Sequence, residues 1–228
     1  MSHGHAESQK VPRSTVWSIV VAGGSGLRFG GRKQFADLGG RSVLQRSVEA
    51  AAASSDGVVV VVPGDAVAGQ SLHALDTTVS VVAGGSSRTE SVRAGLAAVP
   101  LSAGHILVHD AARPLATPAL FTAVCAALNA GADCVVPVVA VTDTIRHRQG
   151  GTIDRRELLA VQTPQGFAAP ALRAAHAQGD DATDDATLVE ALGFNVILLD
   201  GEPHNHKLTD PDDLVTAEAM ITILEERR

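Results

Sequence analysis

Six stretches of this chain are apolar without alternation: VWSIVVA (16–22), VVVVV (58–62), VSVVA (79–83), HILVH (105–109), CVVPVVAV (134–141) and NVILL (195–199). A strand with one wet face alternates apolar and polar residues. A continuous β-branched run is buried on both faces, as in a parallel sheet covered by helices. Helical patterns separate the runs, at roughly 42–53, 88–98, 117–130, 170–178, 185–192 and 211–226. Strand and helix in alternation imply right-handed βαβ units and an open α/β sandwich with a mostly parallel sheet.

The length of 228 residues and the apolar fraction of 45% suit one such domain with a sizeable core. We expect it to span 16–228, behind a frayed tail at 1–15. That tail, MSHGHAESQKVPRST, lacks the apolar core of a secretory leader. The two cysteines, Cys125 and Cys134, fall in core-like patterns and suggest reduced thiols in a cytoplasmic protein. No stretch approaches the ~18 apolar residues of a membrane span. A net charge of −7 argues against a general nucleic-acid binder. One segment breaks the rhythm. Residues 142–166, TDTIRHRQGGTIDRRELLAVQTPQG, are polar around a Gly150-Gly151 turn and predict a projecting arm.

The first strand runs into AGGSGLRFGGRKQF (22–35), where glycines and cations crowd together. Ligands of open α/β sheets bind beyond the carboxyl ends of the strands, and glycines there let backbone N–H groups approach phosphate oxygens. The loop fits neither common phosphate motif. A Walker loop would need Lys-Ser/Thr after Gly31, where Arg32-Lys33-Gln34 stand. A dinucleotide fingerprint fits Gly24 and Gly26 but meets Phe29 at its third glycine position.

That loop resembles the signature of nucleotidyltransferases that couple a nucleoside triphosphate to a phosphorylated alcohol. AGGSSRTESV (83–92), LVHDAARP (107–114), VTDTI (141–145), VQTPQGF (161–167), TDDA (183–186) and HKLTDPDDL (206–214) follow in order. Together they resemble the 2-C-methyl-D-erythritol 4-phosphate cytidylyltransferases of the non-mevalonate isoprenoid route. The resemblance implies a three-layer, Rossmann-like nucleotidyltransferase sandwich with a projecting dimerisation arm. It also implies transfer of CMP from CTP to methylerythritol phosphate with release of pyrophosphate. The AGGSG start also leans toward ribitol 5-phosphate or another polyol phosphate as acceptor, and a non-catalytic nucleotide-binding protein is the alternative from a different class.

The resemblance further implies site residues. Arg28, Lys33 and Lys207 would be the catalytic cations around the triphosphate. Ala22, Gly23, Gly24, Gly26, Gly84, Gly85, Ser91, Asp110 and Ala111 would bind the nucleotide, Ser91 also capping the helix it opens. Asp110, at the end of its strand, would hold Mg²⁺. Arg113, Thr144, Arg155, Thr163 and Thr183 would bind the acceptor, with Arg113, Thr144 and Arg155 reaching the other subunit's site in a homodimer. Thr183 also reads as a helix N-cap, and Arg88 as structural. His204 and His206 form a His-x-His pair without a third ligand and read as loop histidines.

Overall fold

The computed structural model describes residues 14–24, 29–69, 72 and 76–226. The strands are β1 (Val16–Val21), β2 (Gly57–Val62), β3 (Thr78–Ala83), β4 (His105–Asp110), β5 (Cys134–Ala140), β6 (Ile145–Arg146), β7 (Thr152–Ile153), β8 (Leu159–Val161), β9 (Gln165–Ala168) and β10 (Val196–Asp200). The helices are α1 (Val43–Ala52), α2 (Arg88–Ala98), α3 (Pro118–Asn129), α4 (Ala169–Ala177), α5 (Asp185–Ala191) and α6 (Asp212–Glu226). All but three strands form one path in the order β10-β5-β9-β4-β1-β2-β3; β8 adds to β5, and β6 pairs with β7 in a separate hairpin. The β1–β2, β2–β3, β1–β4 and β5–β10 pairs are parallel.

Each apolar run becomes a strand within about a residue of its expected limits. Val58 to Val62 are fully buried, as are Ile106 to Val108. The two outermost strands depart from the expectation of burial on both faces. β3 and β10 have neighbours on one side only, and Ile197 and Leu198 of β10 are exposed. An apolar run therefore marks a strand here without fixing its place in the sheet.

The segment expected to form an arm contains a short hairpin. β6 and β7 pair across the Gly150-Gly151 turn, where both glycines adopt positive φ. Residues 165 and 166, assigned above to the arm, instead begin β9, which lies antiparallel between β4 and β5 in mid-sheet. The physical reason is close packing: a Cβ on Gly166 would sit 2.3 Å from Cγ1 of Val124 on α3, so only glycine lets this helix press on the sheet.

Side-chain caps start the helices that border the carboxyl end of the sheet. Ser42, Ser87, Thr117 and Asp184 each accept from a backbone N–H in the first turn of α1, α2, α3 and α5. Two local expectations are corrected by this. Ser87, not Ser91, caps α2, and Asp184, not Thr183, caps α5. Two apolar layers close on the sheet: one centred on Val60, Leu107 and Phe121, the other on Ile19, Val61, Phe167 and Leu172. A third small cluster seats α6 through Leu208, Ala217 and Ile221 against Leu38 and Leu115.

Candidate active site

A cleft of about 600 Å³ opens where β1, β3 and β4 end. It is lined by Ala22, Gly23 and Gly24 after β1, by Lys33, by Gly85 and Ser91 around the start of α2, by Asp110 and Ala111 at the end of β4, and by Lys207 from the loop before α6. Segments far apart in sequence thus meet because each follows a strand of the same sheet edge or packs beside it. Gly26 and Arg28 lie outside the described residues.

The glycine wall is tightly built. The Gly23 and Gly84 backbones flank the Ser91 hydroxyl, and a Cβ on Gly84 would stand 2.8 Å from Ser91 Oγ. Ser91 donates its proton to the Ser87 carbonyl at 2.9 Å, which fixes the hydroxyl and leaves its oxygen as an acceptor at the wall. Gln34, almost fully buried, donates to the Ala22 carbonyl at 2.9 Å and holds the start of the glycine loop. Sequence reasoning passed over Gln34, although its place next to Lys33 in the RKQF run was the available signal.

The electrostatics centre on Asp110. One carboxylate oxygen accepts from Lys207 Nζ at 2.7 Å and the other from Arg88 Nε at 3.2 Å. Burial alone would raise its pKa, but the Arg88 and Lys207 charges outweigh burial and hold the carboxyl well below the usual carboxylate range. Lys33 donates to the Leu208 carbonyl at 2.6 Å, next to Lys207. Among the described lining residues, three cations, Lys33, Arg88 and Lys207, share the cleft with the single carboxylate of Asp110. A protein of net charge −7 has therefore gathered positive charge in one cleft, the arrangement an anionic ligand requires.

A polar framework behind the cleft sets the loop that carries Lys207. Arg113 donates to the Asn205 and Val161 carbonyls at 2.8 and 3.0 Å. Asn205, fully buried, donates to the Thr163 carbonyl at 2.9 Å, and the Leu208 N–H donates to the Ala112 carbonyl. Thr163 accepts from the Asp110 N–H at 3.0 Å, which leaves its proton for His109 Nδ1 at 3.1 Å; the His109 Nε2–H is then directed to the Arg113 carbonyl. Burial pushes His109 down to about 4, so the imidazole is neutral and this proton order is fixed at physiological pH.

The expected acceptor residues are not gathered in the cleft. Arg113 and Thr163 belong to the framework behind it, and Thr183 is exposed just before α5. Thr144 and Arg155 line a separate hollow on the arm, where Arg155 donates to the Thr142 carbonyl. Arg88, read above as structural, faces the cleft and also bonds the buried Asp185 at 2.7 Å. Nothing in the sequence marks Asp185 apart from Asp184 beside it. Among the described residues, no group of three His, Cys, Asp or Glu side chains is arranged to hold a metal ion. His204 does pair with Glu202 at 3.4 Å.

An open, mostly parallel α/β sheet whose strand ends converge on a glycine-walled, cation-rich cleft defines a nucleotidyltransferase. Comparison with known proteins places it more closely. The profile of the 2-C-methyl-D-erythritol 4-phosphate cytidylyltransferases matches residues 16–223, and the chain belongs to that family. It is 48% identical to the enzyme of that name from Rhodococcus jostii, over 92% of this chain and 96% of the relative. It is 45% identical to the one from Nocardia farcinica, over 91% and 94%. The solved structure of the Thermus thermophilus enzyme of that name superposes with a TM-score of 0.78 at 36% identity, covering 91% of this chain and 98% of that one.

Proposed function

We propose that this enzyme transfers CMP from CTP to 2-C-methyl-D-erythritol 4-phosphate, releasing pyrophosphate. The observation that carries the reading is the convergence of Lys33, Arg88, Lys207 and Asp110 with the Gly23, Gly85 and Ser91 wall in one cleft. The acceptor phosphate attacks the α-phosphorus, the bond to the β-phosphate bridging oxygen breaks, and pyrophosphate leaves in line. A phosphate monoester has a second pKa near ~6, so the nucleophile is already mostly dianionic at neutral pH and needs no protein base. The difficulty is repulsion between anions, which positioned cations in a poorly solvated cleft relieve. Lys33 and Arg28 take the phosphates on the glycine-loop side. Lys207, fixed by the framework through Asn205 and Leu208, faces them from the opposite loop. Gly23, Gly84 and Ser91 form a close wall suited to the small pyrimidine base.

Asp110 is the one carboxylate among the described lining residues and would hold a Mg²⁺ whose other ligands came from phosphate and water. When bound, such an ion neutralises phosphate charge and stabilises the leaving pyrophosphate. Acceptor binding falls to Thr144 and Arg155 of the arm, serving the cleft of a second copy in a homodimer. Leu159 and Val161 at the arm's base and Leu198 on β10 are exposed and apolar, which supports such a contact. No helix among the described residues is long and apolar enough to cross a membrane.

The test is pyrophosphate release with CTP and Mg²⁺, offering methylerythritol 4-phosphate and ribitol 5-phosphate in parallel. Release with the first alone is expected. Release with ribitol 5-phosphate alone would reassign the acceptor. Thermal stabilisation by CTP with no release from either would contradict catalysis.

A further inference from the structure

Asp185 is 1% exposed in its side chain, and it does not line the cleft. It nevertheless ends a chain of charged contacts that reaches the centre of the site. Asp185 Oδ1 accepts from His176 Nε2 of α4 at 3.0 Å, and Oδ2 accepts from Arg88 Nη1 at 2.7 Å. The same guanidinium donates through Nε to Asp110 at 3.2 Å, and Asp110 accepts from Lys207 at 2.7 Å. Arg88 is thus divided between two carboxylates, one behind the wall and one at the cleft. A guanidinium offers parallel N–H pairs and engages a single carboxylate bidentately when nothing holds it otherwise. Of the Arg88 nitrogens, Nε alone contacts Asp110, while Nη1 is turned to Asp185.

We propose that Asp185 is a positioning residue for the transfer reaction: by holding Arg88 from behind, it limits Arg88 to one contact with Asp110 and so leaves the other Asp110 oxygen to Lys207, which keeps that ammonium at the cleft. This rests on the reading of Asp110 and Lys207 as working charges of the site. Removing the Asp185 charge lets Arg88 rotate onto both Asp110 oxygens and displace Lys207. The glycine and Ser91 wall does not touch Asp185, so nucleotide recognition there is preserved while turnover suffers.

The experiment is a double-mutant cycle on the full-length enzyme, with Asp185→Asn, Arg88→Lys and the double variant. Steady-state kinetics and thermal melting are measured for each. At metal sites, loss of a group that hydrogen-bonds and orients a ligating side chain typically costs ~10–100-fold. Asp185→Asn is expected to lower kcat about 10-fold at the low end of that range, with KM for CTP changed less than about 2-fold. Added to Arg88→Lys, it should lower kcat by less than about 2-fold more, because its partner's fork is already gone. Equal losses in both backgrounds would overturn the proposal, as would a lowered melting temperature with unchanged kcat. If Asp185→Asn does not fold, Asp185→Ser is measured in its place, and a normal kcat for that folded variant overturns the proposal. Lys207→Ala, run alongside, separates the two readings. Its failure to slow turnover counts against the site itself, whereas its loss of turnover beside a normal Asp185→Asn counts against Asp185 alone.

Discussion

Cys134 shows how far the interior departs from water. Its thiol has no solvent exposure, and burial first, then the acidic groups around α5, push it up to about 12 from an ordinary 9.0. Between those values the unfolded chain gives up a proton that the folded chain keeps. Stability therefore falls as pH rises from 9 toward 12, by at most about 1.4 kcal/mol per pH unit for one group. The chain has no tyrosine, which removes one competing titration from this range. Denaturant midpoints measured across that range should fall less steeply for Cys134→Ala than for the parent; parallel slopes would show that the thiol titrates normally when folded. Legibility at this scale was uneven. Lys33, Asp110 and Lys207 stood in short motifs and meet in the cleft. Asp185 and Gln34 act through partners 97 and 12 residues away, and pairings of that kind leave no local pattern.

The elements were read well because valine runs and capped helices are local signals, and the sheet preserved them. β9 was missed because it is four residues long and includes Gln165 and Gly166, with none of the β-branched content that marked the other central strands. Helix packing supplies the prediction that belongs here. Gly95 lies inside α2, where replacing glycine by alanine ordinarily stabilises by up to ~1 kcal/mol. At this position the added Cβ would stand 2.5 Å from Cγ2 of Ile19 and 3.1 Å from Cγ2 of Val61. Overpacking costs typically ~1–3 kcal/mol, so the clash wins. Gly95→Ala should lower unfolding free energy by about 1–2 kcal/mol and, by lifting the helix that carries Arg88 and Ser91, should also lower turnover. An increase in stability would mean that α2 shifts freely on the sheet.

For the whole molecule, the sheet's topology explains why residues 22–24, 85–91, 110–111 and 207 form one site: all are delivered to one edge. It does not bring Thr144 and Arg155 there, because they sit on a hairpin that pairs only with itself. On the homodimer proposal a second copy closes that distance. Mixing Lys33→Ala subunits with Arg155→Ala subunits, each nearly inactive alone, should restore up to about a quarter of parental activity, since random pairing leaves one intact shared site in half the dimers. No recovery after demonstrated subunit exchange would mean that each chain works by itself.

The claim on which the rest depends is that positioned cations in this cleft, without a protein base, carry the transfer. Lys33 is the most direct test, because its ammonium reaches the cleft from outside the Arg88–Asp110–Lys207 cluster. Single-turnover formation of the CDP-linked product by Lys33→Ala, with CTP saturating and the fold checked by melting temperature, should be slower by ~10²-fold or more. A rate within about 3-fold of the parent would contradict the account, because mutagenic loss of a charge-stabilising group at a reacting centre is far larger than that.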